Sequence, residues 1–421
     1  MPIVRPLLKT EVIESPPAIA LWSPVRRWSA LRDTVRGWWG RLDHDGLRYV
    51  SVLFIATRLL LVLATVVAAH LTVSHDVFVR PTADPFWRTW FYWDSTYYAD
   101  IATYGYTLAR ADVFPAFFPL YPILEWFVGL FVGGDHYLAG LLITNAAWFV
   151  TLYELYVLAR SDFDVRVARG AVLALSVFPT AFFGFVAYPE SLFLALAVAS
   201  FLCMRRGQWW AAALLGCFAG FTRQAGALLV LPFLWEFAVQ QGFVARARNW
   251  RVLVRPEIVA VTLIPLGVVL FAGWLWHIVG DPLAFIHVQR HWLRVSGTPW
   301  GTIIAGFTTA TQPHISYWIL RAWQELAIVL LMGGLLVAAW SRLPRSYSIL
   351  ATTLYLLFLS QPEQHFPLLS QSRFALELFP LFIVLGDFAT RRRWSTVVLV
   401  AVALPLQLIF IGIFSHAGWI I

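Results

Sequence analysis

Two aspartates, Asp94 and Asp100, stand in a stretch crowded with aromatics, FYWDSTYYADIATYGY at 91–106. A carboxylate held among aromatic rings can act as a general base on an attacking hydroxyl. Glu190, in YPESLF (188–193), opens a long apolar run. Arg223 in FTRQAG, Arg373 in QSRFALELFP, and Arg294 supply cations, with His287, His291 and His365 nearby in type. Guanidinium groups are suited to phosphate. Each residue also has a purely structural reading. Asp94 suits the positive end of a helix, and Glu190 suits a helix start. Arg373 is four residues from Glu377, a spacing for an ion pair on one helix. A lone histidine is most often a satisfied interfacial residue.

These residues must be positioned by a membrane protein. The chain has 421 residues, 60% of them hydrophobic and 13% charged, with mean hydropathy +0.70. A water-soluble domain cannot hide that much apolar surface. The formal net charge is +8, and Lys9 is the single lysine. The arginines fall in short loops between apolar runs, without a basic stripe interleaved with aromatics, so no nucleic-acid partner is expected. Cys203 and Cys217 lie in apolar surroundings and suggest neither a disulfide framework nor a metal site.

Residues 1–24 read as a disordered tail, and 25–48, with six arginines among tryptophans, as a cationic helix on a membrane face. The tail shows no signal-peptide pattern, so the first apolar run reads as an uncleaved span. Apolar runs predict spans near 49–70, 137–159, 170–187, 190–204, 209–222, 225–240, 258–279, 321–340, 346–361, 373–389 and 395–415, about eleven in all. The fold class is therefore all-α and polytopic. The domain division is a tail, 1–48, and a transmembrane domain, 49–421. No internal repeat is evident.

With the tail inside, alternation puts every strongly basic short loop on one face: 160–169, Arg205/Arg206, 241–257, Arg342/Arg345 and Arg391–Arg393. This requires that 115–132, PAFFPLYPILEWFVGLFV, does not cross, as its prolines and length suggest. In 91–106, Trp90, Trp93, Tyr97, Ile101 and Tyr104 follow helical spacing, which predicts an amphipathic interfacial helix. Arg58 lies inside the first span, where insertion costs about 2.5–3.5 kcal/mol, so an acidic partner or snorkelling is expected. Asp94, Glu190, Arg223, His291, Arg294, His365 and Arg373 then all fall on the opposite face. Such convergence from distant segments is what a site at the membrane surface needs.

The ordered set YWDSTYYADIATYGY, FPAFFPLYP, FPTAFFGFVAYPESLF and GFTRQAG resembles the PIG-V-like mannosyltransferases, membrane glycosyltransferases of the GT-C class. The resemblance covers about 50–240, with SRFALELFP fitting a late arginine. It implies a GT-C-like fold, a catalytic acid in the first external loop, here Asp94, and a cavity admitting a polyprenyl-phosphate sugar. The sugar it implies is mannose. The family's glycosylphosphatidylinositol acceptor is not carried over, because arginine bias and a basic tail read as bacterial.

The chemistry follows from the residue types. A polyprenyl phosphate leaves readily but needs positive charge near it. Arg373 and Arg223, with His291 or Arg294, can supply that charge. Asp94 would deprotonate the acceptor, and one base with in-line attack gives inversion. Glu190 would position a sugar hydroxyl or the catalytic arginine. Tyr97 and Tyr98 would stack on the sugar, and His365 would help position it. No metal and no cofactor is expected beyond the lipid-linked co-substrate. The expected partners are that donor, a glycan, glycolipid or protein acceptor, and membrane lipids. The expected location is a bacterial plasma membrane, with the site on its external face. The alternative reading is a transporter or lipid flippase, which should place ionisable groups near the bilayer midplane.

Overall fold

The computed structural model describes residues 43–71, 86–242, 255–312, 316–416 and 418. The expected tail, up to residue 42, and most of the basic loop 241–257 lie outside them. The compact unit begins at Asp45. Among the described residues the structure is helical, and an isolated antiparallel bridge joins Arg294 and Glu363.

Each expected span except 170–187 is met by helix over most of its length. In chain order these are α1 (His44–Leu71), α2 (Asp94–Tyr104), α3 (Leu120–Gly129), α4 (His136–Asp162) and α5 (Val165–Val177). Then follow α6 (Glu190–Arg205), α7 (Trp209–Thr222), α8 (Val230–Gln240) and α9 (Leu263–Val279). The chain ends with α10 (Pro299–Thr311), α11 (Ser316–Arg342), α12 (Arg345–Leu359), α13 (Phe379–Thr390) and α14 (Arg393–Phe414). Three-ten turns at Gln224–Leu229 and Pro256–Thr262 extend α8 and α9. Among the described residues, five helical segments are long and apolar enough to cross a membrane by length and composition. On α1, Val52, Ile55, Leu59, Leu63 and Val67 are exposed along one stripe, which suits contact with acyl chains. The ten residues of α3 rise only about 15 Å, too little to cross a bilayer of ~30 Å.

The expected span 170–187 is corrected. Helix α5 stops at Val177 because Phe178 precedes a proline and takes an extended conformation, φ −55° and ψ 141°. Residues 178–189 are buried and run through a three-ten turn, Ala181–Gly184, with irregular backbone on either side until α6 begins. Irregular backbone at such depth survives only where protein groups satisfy it. Asn145 Nδ2 donates to the Phe185 carbonyl at 2.9 Å, and Thr144 Oγ1 to that of Tyr188 at 2.9 Å. Arg58 Nη2 donates to the Gly184 carbonyl at 2.6 Å. Among the described residues Arg58 forms no ion pair, so the expected acidic partner is not met, and protein groups hold its guanidinium instead. Its Nε donates to Asn145 at 2.8 Å, and its charge lies 4.5 Å from the Phe54 ring centroid.

The interfacial stripe is also corrected. Trp93 has φ 59°, so α2 starts only at Asp94 and Trp90 belongs to a preceding turn, out of phase. The buried face of α2 is Ser95, Tyr98, Ala99, Ile101 and Ala102, whereas Tyr104 is exposed.

Helices α5 and α13 cross closely at two glycines. A Cβ on Gly386 would meet the Ala171 nitrogen at 2.2 Å, and one on Gly170 the Gly386 carbonyl oxygen at 2.7 Å. Small residues permit this backbone approach, as in membrane helix pairs generally. The contact fixes α13 and, through it, the polar segment just before it.

Ion pairs join helix ends as an up-and-down arrangement requires. At the basic ends, Arg205 bridges Asp162 at 2.5 Å and Glu236 at 3.0 Å. Ser346 donates to Glu236 at 2.5 Å, and Tyr347 donates to Asp162. Glu190, at the other end of the 16-residue α6, belongs to a second cluster roughly 22 Å away along the helix. In a variant lacking Cys203 and Cys217, cysteines at the exposed Leu108 and Arg166 are expected to react with an impermeant maleimide from opposite sides of a vesicle. Labelling of both from one side would contradict this arrangement.

Candidate active site

The second cluster is an alternating chain of charge. Asp94 Oδ2 is 2.6 Å from Arg373 Nη1. Arg373 Nε is 3.2 Å from Glu190 Oε1, and the same oxygen is 2.6 Å from Arg223 Nη1. Arg223 Nε is 3.0 Å from Glu377 Oε1. Four segments far apart in sequence therefore meet. Glu190 and Glu377 are wholly buried, and Asp94 is partly open.

Local structure explains each placement. Asp94 opens α2 beside the strained Trp93. Glu190 opens α6 where the buried irregular segment ends, and Tyr188 in that segment donates to the Tyr92 carbonyl at 3.1 Å, tying it to the start of α2. Arg223 sits in the extended residue between α7 and the three-ten turn. That turn packs so closely on α7 that a Cβ at Gly226 would lie 2.3 Å from the Gly220 nitrogen. Arg373 belongs to the short turn Gln371–Phe374.

The expected pairing of Arg373 with Glu377 is corrected. After Phe374 the chain tightens into a three-ten turn, Ala375–Glu377, with three residues per turn. Positions four apart then no longer share a face. Arg373 reaches Asp94 and Glu190, and Glu377 reaches Arg223.

A cavity of about 330 Å³ opens beside this chain. Asp94, Tyr97, Tyr98, Arg223, Arg294 and Arg373 line it. Asp94 is the one carboxylate among the described lining residues. Trp93, Phe117, Phe118, Trp292, Phe358 and Phe374 supply aromatic walls, and Gln224, Gln289 and Gln361 supply amides. Glu190 lies beneath the wall. His291 and His365 are exposed and outside the lining. The His291 ring rests against Trp292, with centroids 4.9 Å apart.

Arg294 reaches the cavity from a backbone strap. Val295 N donates to the Pro362 carbonyl at 2.9 Å, Gly297 N to that of Ser360 at 2.9 Å, and Gln364 N to that of Leu293 at 3.1 Å. Arg294 donates to the carbonyls of Gln361 at 2.9 Å and Leu369 at 3.3 Å, and forms no ion pair among the described residues. Burial pushes its guanidinium down to about 10, with Arg373 adding repulsion, so it stays a cation at neutral pH. A half-buried cation held, among the described residues, by carbonyls alone retains capacity for an anion.

Sequence reasoning missed Phe374 and the strained backbone. The guanidinium carbons of Arg223, Arg294 and Arg373 lie 5.5, 5.5 and 5.3 Å from the Phe374 ring centroid. One aromatic ring thus gathers three cations. Among the described residues, the non-glycines with positive φ are Trp93 (59°), Leu293 (52°) and Ser370 (69°). Trp93 and Ser370 line the cavity, and Leu293 precedes Arg294. Each such backbone costs on the order of 1–3 kcal/mol, and such strain concentrates at functional sites. No property of the residue types announces it.

No family model matches the chain. No curated protein matches it either. The chain is similar to the solved structure of ArnT from Cupriavidus metallidurans bound to undecaprenyl phosphate. That pair is 17% identical with a TM-score of 0.45, covering 87% of this chain and 76% of that one. It is also similar to the Archaeoglobus fulgidus oligosaccharyltransferase in its apo form, 14% identical with a TM-score of 0.41, over 86% of this chain and 55% of that one. For the same archaeal AglB in complex with an inhibitory peptide and a dolichol-phosphate, the values are 15%, 0.37, 86% and 55%. The chain therefore spans about half the length of the archaeal proteins.

Glu190→Gln removes the charge shared by two buried guanidiniums. Breaking a buried pair costs about 3–5 kcal/mol, so the melting temperature in detergent is expected to fall clearly. An unchanged melting temperature would show that Arg223 and Arg373 find other anions.

Proposed function

We propose that the protein is an inverting membrane glycosyltransferase of the GT-C class, transferring a hexose, mannose by motif resemblance, from a polyprenyl-phosphate donor to an acceptor hydroxyl at the external membrane face. The observation that carries this reading is Asp94, held 2.6 Å from Arg373 on a cavity wall that also presents Arg223 and Arg294. A single accessible carboxylate among three guanidiniums suits a reaction with one proton to remove and one phosphate to receive. The ordered motifs that resemble PIG-V-like mannosyltransferases support it independently.

In this reading the acceptor oxygen attacks the anomeric carbon as its proton passes to Asp94. The bond from that carbon to the phosphate oxygen breaks, and the oxygen keeps the electron pair. Arg294, which forms no ion pair among the described residues, receives the phosphate. Arg373 links the two events. As Asp94 takes the proton its charge is lost, its hold on Arg373 weakens, and that guanidinium becomes available to the new phosphate charge. Glu190 holds Arg373 and Arg223 in register. Tyr97 and the aromatic walls stack on the sugar, and the amides meet its hydroxyls. His291 and His365 stand outside the cavity lining, where they can meet only groups at the surface. The acceptor is a glycan, a glycolipid or a protein.

The test is incubation of the purified protein with polyprenyl-phosphate-[¹⁴C]mannose and a membrane extract, with identification of the labelled product. Arg294→Gln is expected to stay folded and to raise the donor KM about tenfold, the worth of one charge-assisted hydrogen bond. Absence of labelled product from the wild type, or an unchanged donor KM in Arg294→Gln, would contradict the proposal.

A further inference from the structure

We infer that Glu325, deep in α11 and remote in sequence from every motif above, is a positioning residue for Arg373. The inference rests on the reading of Arg373 as the residue that couples base and phosphate.

Glu325 is 3% exposed, each of its oxygens accepts a bond from Ser372, and the buried Arg321 one turn earlier on α11 adds attraction. Oε2 accepts from Ser372 N at 2.7 Å, and Oε1 accepts from Ser372 Oγ at 2.8 Å. From the other side, Thr180 Oγ1 donates to the Ser372 carbonyl at 2.6 Å. Ser372 is fully buried, and every polar atom it has is held. The flanking residues are held as well. Gln371 Nε2 donates to the Phe358 carbonyl at 2.9 Å, and Ser370 is fixed at φ 69°.

A carboxylate is an expensive device for this task. Burying one in a membrane helix is unfavourable unless its partners are well placed. Each carbonyl inside a helix already accepts one bond from within it, so a side chain gives α11 its strongest acceptor for the neighbouring turn. A carboxylate accepts two parallel bonds without donating, which matches the adjacent N–H and O–H of Ser372. A carboxamide matches only one of them. Arg373 follows Ser372 directly. Any rotation of that turn is magnified along the arginine side chain and displaces its guanidinium from Asp94. Displacement of about 1 Å at such a site can cost 10²-fold in rate.

The experiment compares purified wild type, Glu325→Gln, Ser372→Ala and the double variant for donor kcat/KM per folded molecule. It also compares the Asp94–Arg373 separation in cryo-EM structures of wild type and Glu325→Gln. Glu325→Gln is expected to lose on the order of 10²-fold in kcat/KM, and Ser372→Ala about fivefold. The double variant is expected to be no worse than Glu325→Gln, because the two residues act as one unit. The acceptor KM is expected to hold, and the Asp94–Arg373 pair to open beyond about 4 Å. A Glu325→Gln protein with lower melting temperature but wild-type kcat/KM and an intact pair would overturn the inference. If Glu325→Gln does not fold, Ser372→Ala decides, and wild-type kcat/KM in that variant would overturn it equally. Wild-type protein that transfers no sugar would sink the glycosyltransferase reading. The Asp94–Arg373 separation would still decide the role of Glu325.

Discussion

Glu190 has one oxygen shared between two guanidiniums, and the rest of the site is arranged around that contact. A fully buried carboxylate cannot stand alone, and neither can two arginines brought within reach of each other. Sharing one oxygen between Arg373 and Arg223 solves both problems and leaves each arginine with a free edge. The free edge of Arg373 meets Asp94, and that of Arg223 meets Glu377. Removal of the central charge would leave the outer pairs without a common anchor. Phe374 adds a neutral surface on which three cations gather.

The bundle supplies the rigid frame for this contact. Gly170 and Gly386 allow α5 and α13 to touch, which fixes the chain just after Glu377. The irregular segment 178–189 is buried between helices and satisfied by Arg58, Asn145 and Thr144, which fixes the chain just before Glu190. The strap at 293–297 brings Arg294 over the opening. Strained backbone at Trp93, Leu293 and Ser370 persists because these surrounding contacts determine it.

Much of the architecture was legible in the sequence, because length and apolarity define a membrane helix with little reference to neighbours. The runs near 49–70, 137–159 and 395–415 emerge as long helices for that reason. The run 170–187 does not, since the effect of Pro179 on Phe178 is local but the means of burying a broken helix is tertiary. The set Asp94, Arg223, Arg294 and Arg373 could be gathered by topology alone, since alternation puts them on one face. Their pairing could not. Arg373 and Glu377 have helical spacing, yet a three-ten turn rotates them apart. Glu325 stands out as a carboxylate inside the expected span 321–340, but its role was not legible, because it depends on a serine 47 residues later. His291 and His365 share the face of the site but stand outside the cavity lining, a distinction that residue type cannot make.

The central claim is that Asp94 is the base and not merely one end of an ion pair. Asp94→Asn preserves shape and can still accept one bond from Arg373, but it cannot take the acceptor's proton. The most direct measurement is single-turnover sugar transfer by folded Asp94→Asn at saturating donor. The account expects a rate reduced by roughly 10²-fold or more with donor affinity nearly retained. Transfer by that variant at close to the wild-type rate would contradict it.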